Sequence, residues 1–585
     1  FCYVSSIGDC IQPVSGWWPR FVAVSGARRS DIMDAGPLVS FRLRIHPATW
    51  HLLTAIELPG QVQDVVMDDF RLPDLLIPLS QVTDLGMGQP PGTATRCCVV
   101  ATRLARLAGC DDAVVRDAFY TTLLQHLGCT AYAHETARVF GGDDIALRAG
   151  GSLVDSTDPR ESLPFLLRFT DATPLPARAR TIFTAMKLGP SFDRELSRAN
   201  CEVALRLADR IGLQSGIQEG LDHIYERWDG KGHPRHLIGE AIPLPSRIAH
   251  VASQAVLFLD VGGVALARET ISKRAGAWLD PGLSAIFLPH GEDILADLDA
   301  VDVDAVARGA DPAPGQAVSA MRIDAIAQAF GDMVDVKSPF THGHSSGVSR
   351  LAEAAGRKLG LPEADVTAIR RAGHLHDIGH VGTPNGILEK AGPLTSLEWE
   401  RIRLHPYQAE RILIRSGALA SLAPLVGMHH ERLDGSGYHH HAAGPSIPQG
   451  ARIIAAANIY HAMCEERPYR PARTPAAAAA QLRADAREGL LDDEVVEAVL
   501  ASAGHDGVPV QRDWPSGLTT REVEVLRLAA RGLSTREIGD LLSISPKTAG
   551  HHIQHIYDKI GVSSRAGAAI FAMEHDLVRG TGSGE

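Results

Sequence analysis

The 585-residue sequence predicts an all-α protein, with two similar helical bundles in tandem followed by a small helix-turn-helix domain. Three observations predict this architecture. Apolar residues recur near a 3.6-residue period, one pattern of residues occurs twice, and the last 70 residues contain three closely spaced helix starts. A chain of this length with 45% apolar residues suffices for three or four cores of about 150 residues each.

The helical period is clearest in the second half of the chain. Residues 348–359, 364–376, 397–415 and 494–502 carry apolar side chains at helical spacing. Glycine and proline punctuate the joints between these segments. We therefore expect one helix over each of the four.

The repeated pattern centres on a glycine-rich segment. Residues 226–234 recur as residues 431–439, a shift of 205, and residues 124–128 align with residues 375–379, a shift of 251. The difference places about 46 extra residues in the first copy, near 130–195. We define the first copy as residues 67–300, the second copy as 301–512 and the C-terminal module as 513–585.

Composition excludes several classes of protein. The net charge of -12 argues against a chain that coats nucleic acid by bulk electrostatics, so DNA contact would be confined to one module. The 8 cysteines are scattered, and no apolar run reaches the roughly 18 to 20 uninterrupted residues of a membrane span. These features predict a protein of the reducing cytoplasm without a membrane partner.

Residues 1–66 show neither a regular period nor the pattern of a signal peptide. Met67 is a better start than Phe1. We interpret this stretch as an extension that is not native. The alternative is a poorly packed N-terminal arm.

Seven residues of the second copy suggest a metal centre. They are His344, His376, Asp377, His405, His429, His430 and Asn458. Imidazole and carboxylate together suit Fe, Mn or Zn, and an Asp beside a His can bridge two ions. Two metal ions flanking a phosphoryl group supply a nucleophile near neutral pH and neutralise developing charge. The set predicts phosphoester hydrolysis, although a lone His-Asp pair would also serve as a buried hydrogen-bond couple.

The motifs around these residues resemble the signature of HD-GYP phosphohydrolases, in order along residues 320–505. They are Gly343-His344-Ser345, the run 376–379, His405-Pro406 and the run 429–438. The resemblance implies an HD-type helical bundle with two divalent ions, Fe or Mn before Zn, and a substrate such as cyclic di-GMP. It assigns catalysis to His376, Asp377 and His380. It assigns substrate binding to Arg432, Asp434, Gly435, Gly437 and Tyr438.

Three positions depart from that family. His380 replaces a lysine that can hold a substrate phosphate, Asn458 replaces an aspartate, and His439 replaces the proline after Gly437-Tyr438. A neutral imidazole would hold phosphate more weakly than an ammonium, whereas a protonated one would partly replace it. Two hypotheses follow: an active phosphodiesterase, or an inactive domain that senses a nucleotide or metal. His439 also opens a run of three histidines, which we interpret as a solvated loop, with metal capture as the alternative.

The first copy lacks almost every one of these ligands. The positions of His344, His376, Asp377, His429, His430 and Asn458 are taken by Thr93, Gln125, His126, Ile224, Tyr225 and Ser253. The first copy is therefore a degenerate HD-GYP-like domain that we expect to bind no metal. It would pack against the second copy as a pseudo-dimer or sense a ligand.

The C-terminal module has three helix starts. Thr519 with Glu522 and Ser534 with Glu537 have capping-box spacing, and Ser545 precedes a proline at the first helical position. This spacing predicts a helix-turn-helix whose third helix enters the major groove. Residues 516–585 carry 8 basic and 8 acidic residues, so a small dimerisation module is the alternative.

The module also resembles the LuxR-type DNA-binding domain, through residues 518–526, 532–538 and 544–548. The resemblance implies binding to double-stranded DNA as a homodimer, with residues 565–577 as the pairing surface. Candidate DNA contacts are Arg536, Lys547, Thr548, His551, His555 and Lys559. Gly550 should weaken the third helix by up to about 1 kcal/mol relative to Ala. The whole chain is interpreted as a bacterial transcription regulator controlled by a tandem HD-GYP region.

Overall fold

The computed structural model describes residues 70–170, 175–299, 302–312, 317–505, 514–542, 544–575 and 577–578. Within these ranges all regular secondary structure is helical, with only isolated β-bridges, which confirms the predicted all-α class. The interpretation of residues 1–66 lies outside the described residues.

The first copy contains ten α-helices in the described residues. They are α1 (Leu72–Met87), α2 (Thr93–Leu107), α3 (Asp112–Leu123), α4 (Ala133–Phe140), α5 (Asp144–Gly151), α6 (Pro159–Phe169), α7 (Leu175–Ile211), α8 (Ser215–Asp222), α9 (Leu244–Arg274) and α10 (Pro281–Ile294). The described part of the second copy contributes ten more. They are α11 (Val303–Ala310), α12 (Ala320–Asp335), α13 (His344–Lys358), α14 (Glu363–Leu375), α15 (Asn385–Leu388), α16 (Ser396–Leu413), α17 (Ala423–Gly427), α18 (Gln449–Met463), α19 (Pro475–Arg487) and α20 (Asp493–Ser502).

Helix starts follow the two sequence shifts. Helices α2 and α13 begin 251 residues apart, as do α3 and α14, whereas α9 and α18 begin 205 residues apart. The same partners also pack together, since α2 contacts α3 and α9 just as α13 contacts α14 and α18. The structure therefore supports a duplicated helical unit.

The extra residues of the first copy form α4 to α6 and the first part of α7. Part of this insertion lies against the second copy, where the Asn385 amide donates to the Asp144 carboxylate at 2.7 Å and the Gly386 amide to the Gly142 carbonyl at 2.8 Å. One apolar core runs through both copies and includes Phe119, Phe287 and Phe330. Helix α11, assigned to the second copy by sequence, packs on α1 and α2, so the packing does not divide at residue 300.

Helix α9 is long and apolar enough to cross a membrane by length and composition alone, although the sequence contains no uninterrupted apolar run of that length. Half of its most apolar window is buried inside the protein, where the helix packs on α2, α3 and α10. Its backbone leaves helical geometry at Gly262 and Gly263, and Asp260 pairs with Arg96 at 2.6 Å.

The described C-terminal module contains α21 (Thr520–Ala530), α22 (Thr535–Leu542), α23 (Pro546–Ile560) and α24 (Arg565–Glu574). The predicted caps are present: Thr519 and Glu522 form a capping box, the Ser534 hydroxyl accepts from the Glu537 amide, and the Ser545 hydroxyl accepts from the Thr548 amide. The helix-turn-helix layout is thus confirmed.

Helix α24, which we predicted to pair two chains through residues 565–577, is buried within one chain. Residues 566–573 of α24 are all buried. Ala568, Phe571 and Ala572 face the core of the module, whereas Ala569 and Ile570 belong to the core shared by the two copies. An apolar helix with two such faces buries both, and α7 covers the second one here.

Candidate metal centre and DNA-binding surface

The predicted ligands converge because the helices that carry them pack together. Helix α13 begins with His344, α14 is followed by His376 and Asp377, α16 carries His405, α17 is followed closely by His429 and His430, and α18 carries Asn458. His344, His376, His405 and His429 are at most 2% exposed, so their polar atoms need partners inside the protein.

Asp377 stands between two groups of imidazoles. Its Oδ1 lies 3.3 Å from His405 Nε2 and 3.7 Å from His429 Nε2. Its Oδ2 lies 3.3 Å from His376 Nε2 and 3.6 Å from His344 Nε2. His430 joins the first group, since its ligand atom lies within 4.8 Å of the others. One carboxylate therefore faces two potential ion positions, as a bridging ligand would.

Backbone carbonyls orient three of these imidazoles. The Nδ1 atoms of His376, His405 and His429 lie 2.9, 2.7 and 2.5 Å from the carbonyl oxygens three residues earlier, namely Gly373, Ile402 and Val426. A carbonyl can only accept, so each Nδ1 carries the proton and each Nε2 presents a lone pair. Metal-ligating histidines are commonly held by such outer hydrogen bonds.

The donor set fits divalent ions in spacing and in protonation. Two ligands about 2.1 Å from one ion lie about 3.0 to 3.4 Å apart, close to the distance of 3.2 Å between His405 Nε2 and His429 Nε2. His376 Nε2 and Asp377 Oδ1 are buried and have no hydrogen-bond partner. Burial lowers the pKa of His429 to about 4 and that of His430 well below its usual value. These two imidazoles are therefore neutral near pH 7, as metal ligands must be.

Asn458 lies at the potential ion position beside Asp377 Oδ2, which we call the second ion position. Its Oδ1 is 3.1 Å from His344 Nε2. Sequence reasoning missed Glu465 and His461, which contact the other nitrogen of His344. His344 Nδ1 is 2.9 Å from Glu465 Oε2 and 3.1 Å from His461 Nδ1. Asn458, His461 and Glu465 follow one another at intervals of three and four, a helical-face spacing that could have identified them. Glu465 supplies a carboxylate close to the position where Asn458 has lost one.

His380 provides no positive charge for a phosphate group. Burial lowers its pKa well below the usual value, and the neighbouring His405 reinforces the shift. Its ring stacks on His405 at 3.7 Å, and its Nε2 lies 3.8 Å from Asp377 Oδ1. Of the two protonation states considered from sequence, the structure therefore favours the neutral imidazole. Lys337 does not replace it, since its Nζ donates to the carbonyls of residues 380, 381 and 383.

The glycine-rich loop, residues 431–442, is held by its own buried carboxylate. Glu431 accepts backbone N–H groups of residues 440, 441 and 442, and Asp434 accepts that of Ser436 at 2.9 Å. A Cβ on Gly437 would lie 2.4 Å from Glu431 Cα, so only glycine fits. The first copy repeats this construction, with Glu226 accepting amides of residues 235 and 237. These shared residues build the loop, and substrate contact by Asp434, Gly435 and Gly437 stays a prediction.

Tyr438 and Arg432 remain the better-placed substrate candidates in this loop. The Tyr438 ring stacks on His430 with centroids 4.7 Å apart. The Arg403 guanidinium lies 5.7 Å from the Tyr438 ring centroid and brings a permanent positive charge to this edge of the centre. Arg432 is half-buried in the same loop.

Other groups fill the equivalent position of the first copy. Ser253 donates to Gln125 Oε1 at 2.8 Å, where the second copy has Asn458 and His376. The Arg96 guanidinium lies 3.2 Å from the Thr93 hydroxyl and makes two bonds of 2.6 Å to Asp260. An internal cation and a neutral hydrogen bond thus replace the ligands, which supports the expectation of no metal there.

The predicted DNA contacts lie on an exposed surface. Arg536 of α22 and Lys547, Thr548, His551 and His555 of α23 are all exposed. Lys559 is exposed too, but its ammonium pairs with Glu522 at 2.8 Å inside the module. The apolar side of α23, with Ala549, Ile556 and Ile560, faces the module core. The face of α23 that would enter a groove is therefore not covered by the rest of the described chain.

Comparisons with known proteins agree with this geometry. The HD-domain family matches residues 184–280 and 328–495, and the family of bacterial regulatory proteins of the luxR type matches residues 516–572. The 3'3'-cGAMP-specific phosphodiesterase 3 of Vibrio cholerae is 32% identical over 412 residues, which cover 70% of this chain and 89% of that protein. The cyclic di-GMP phosphodiesterase response regulator RpfG of Xanthomonas campestris is 39% identical over 168 residues, 27% of this chain and 43% of that protein.

A solved structure shows the same fold. The crystal structure of a cyclic GMP-AMP specific phosphodiesterase of V. cholerae matches with a TM-score of 0.52 and 29% identity, covering 75% of this chain and 98% of that one. The family match, the relative covered over 89% of its length and the His-Asp centre all support the same family. The chain therefore belongs to the HD-GYP group of the HD-domain family, and its C-terminal module is a LuxR-type DNA-binding domain.

Proposed function

We propose that the second copy is a metal-dependent phosphodiesterase that hydrolyses a 3'3'-linked cyclic dinucleotide, cyclic GMP-AMP or cyclic di-GMP, and that the LuxR-type domain reports this ligand to DNA in the cytoplasm. The observation that carries the proposal is Asp377, whose two oxygens face two separate sets of imidazoles. We propose two divalent ions, Fe or Mn before Zn as the family resemblance implies, held by this set of imidazoles around one carboxylate.

Each part of the site has a separate task in this proposal. Bound ions would supply Lewis acidity and a nucleophile at neutral pH. Asp377 and the imidazoles hold them, and Glu465 fixes His344 in the correct tautomer. We assign the phosphates of the dinucleotide to Arg403, whose guanidinium lies 5.7 Å from the Tyr438 ring centroid, and to Arg432 of the same loop. Tyr438 offers an aromatic face beside His430.

Hydrolysis of the two dinucleotides by the full chain, reconstituted with Mn²⁺ or Fe²⁺, tests the activity. Turnover of one of them supports the phosphodiesterase. The sensor hypothesis rests on Asn458 and predicts ligand binding without turnover, with hydrolysis appearing in Asn458→Asp. Absence of turnover, of dinucleotide binding and of metal binding would contradict both hypotheses.

Contacts between the C-terminal module and the metal centre support a regulatory link. Met573 and Val578 of the module lie beside Gly343, the residue before the proposed ligand His344, since a Cβ added to Gly343 would come within 3.8 and 3.5 Å of them. Arg531 of the module pairs with Glu466, next to Glu465. A change in the position of His344 or Glu465 on binding would therefore act directly on the docked module.

The docked module also has its last helix held by the first copy. Glu574 pairs with Arg206 at 3.8 Å and with Arg210, and the Ser563 amide donates to Glu202 at 2.9 Å. Pairing of two modules through α24, as the LuxR resemblance implies, requires this contact to open. The proposal is that ligand binding shifts the balance between the docked and the paired forms.

Glu574→Gln tests this link, because it weakens docking without touching the exposed face of α23. We expect tighter DNA binding by about fivefold, corresponding to about 1 kcal/mol of lost ion pairing. The matched control is Glu524→Gln, whose partner Arg521 lies inside the module. A gel shift with a duplex selected from a random pool by the full chain gives the readout. Equal DNA affinity of Glu574→Gln and wild type would contradict the link.

A further inference from the structure

A second cluster of potential metal ligands lies outside the catalytic centre, on the glycine-rich loop and the helix beside it. It consists of Glu410 on α16 and of His439 and His440 in the loop. Glu410 Oε2 lies 3.1 Å from His439 Nε2 and 2.9 Å from His440 Nε2. Two imidazole nitrogens thus approach one carboxylate oxygen from the same side of the protein.

The spacing suits a shared ion. Ligands about 2.1 Å from a tetrahedral ion lie about 3.4 Å apart, so only small movements would be needed to admit one. Two imidazoles and one carboxylate form the ligand set of many Zn²⁺ sites that keep a position open. The side chains of Glu410 and His439 are about one-fifth exposed, and that of His440 about one-third, so solvent reaches the cluster.

The surrounding structure holds these ligands in place. The Glu410 carboxylate lies against the backbone of Gly427, where a Cβ would come within 2.7 Å of it. Tyr407 packs edge-on against the His439 ring, with centroids 5.5 Å apart. The buried Glu431 accepts the His440 amide at 2.7 Å and fixes the loop backbone. The cluster is thus preorganised by packing that does not depend on an ion.

We propose that Glu410, His439 and His440 bind one Zn²⁺-type divalent transition-metal ion, separate from the catalytic centre. The ion would link the glycine-rich loop to α16, the helix that carries the catalytic ligand His405. Because Tyr438 precedes His439 and stacks on His430, this link would restrain the loop residue nearest the substrate. Zinc would then act on the phosphodiesterase by restraining Tyr438. This consequence rests on the proposed function, whereas zinc binding by the cluster does not.

Zinc binding to the full chain tests the site directly. Protein stripped with chelator is equilibrated with zinc sulfate, passed through a desalting column and analysed for zinc per chain. Wild type should retain one more ion than His440→Asn, and Glu410→Gln should show the same loss. His441→Asn is the matched control, because His441 lies in the same loop but outside the cluster, and it should retain the wild-type amount.

Cobalt gives an independent readout of ligand identity. Co²⁺ added to Asp377→Asn, which lacks the bridging carboxylate of the catalytic centre, should give a d–d absorption band that disappears when His440→Asn is combined with it. Equal zinc content in wild type, His440→Asn and Glu410→Gln would overturn the proposal. So would an equal loss of zinc in His441→Asn. A catalytically inactive protein that still loses one zinc with His440→Asn would leave this site standing while rejecting the phosphodiesterase.

Discussion

If the centre holds the two ions that we propose, replacing Glu465 with Gln should loosen one of them and spare the other. Glu465 accepts from His344 Nδ1 at 2.9 Å, from His461 Nδ1 at 3.0 Å and from Arg467 at 2.7 Å, and it contacts none of the ligands around Asp377 Oδ1. Burial raises the pKa of Glu465, but His461 and His344 outweigh this effect and hold the pKa well below its usual value, so the group is ionised.

The expected loss follows from this geometry. Removal of an outer partner of a metal ligand costs 10- to 100-fold in affinity, or about 1.4 to 2.7 kcal/mol. Asn458 brings no charge, and in the described part of the chain Glu465 and Asp377 are the two carboxylates whose oxygens cluster with His344 at metal-ligand spacing. We therefore expect a loss near the upper end of the range.

Calorimetric titration of the stripped full chain with Mn²⁺ measures the effect. Glu465→Gln should keep one binding step at wild-type affinity and weaken the other. Glu466→Gln is the matched control, since it makes the same charge change one residue away and its partner is Arg531 rather than His344. Two unchanged steps in Glu465→Gln, or the same weakening in Glu466→Gln, would refute the role assigned to Glu465.

Three further outcomes follow from the structure. Asn458→Asp should tighten the second ion at least tenfold, measured by Mn²⁺ titration; unchanged affinity would place residue 458 outside the coordination shell. Gly550→Ala should raise the unfolding free energy of the C-terminal module by up to about 1 kcal/mol, seen in chemical denaturation, because an added Cβ meets only Thr535 at 3.8 Å; a lower stability would contradict this. Burial lowers the pKa of both His126 and His250 to about 4, so these residues are neutral when folded but gain a proton below about pH 6.5 when unfolded. As the pH falls from 6.5 to 4, the unfolding free energy should therefore decrease by up to about 3 kcal/mol for each histidine. His126→Gln should reduce the slope of unfolding free energy against pH; an unchanged slope would contradict burial of the neutral His126 imidazole.

Local pattern was enough to predict the helices and to select the side chains that converge around Asp377. The predicted helix over residues 364–376 is α14 within one residue at each end, and that over 494–502 begins one residue early in α20. These boundaries depend on nearby caps and periodicity, which the sequence displays directly. The helix predicted to begin at residue 348 begins at His344 instead, with Gly343 as the N-cap residue of α13.

Features that depend on distant contacts were not predictable in the same way. The contacts of Glu465 and His461 with His344 depend on the packing of α18 on α13, although the spacing of both residues from Asn458 is present in the sequence. The protonation state of His380 depends on burial, which no spacing reveals. The covered face of α24 depends on α7, more than 350 residues away along the chain, so an apolar surface predicted to pair two chains is buried within one.

The most direct test of the central claim is the number of ions held through Asp377, together with hydrolysis. The full chain in the His440→Asn background, which removes the loop cluster, is reconstituted with Mn²⁺ and assayed on both cyclic dinucleotides, with and without Asp377→Asn. Our account predicts two ions per chain and turnover, both lost in Asp377→Asn, whose folded helical content is checked by circular dichroism. No bound ion before the substitution, or two ions and full turnover after it, would contradict the account.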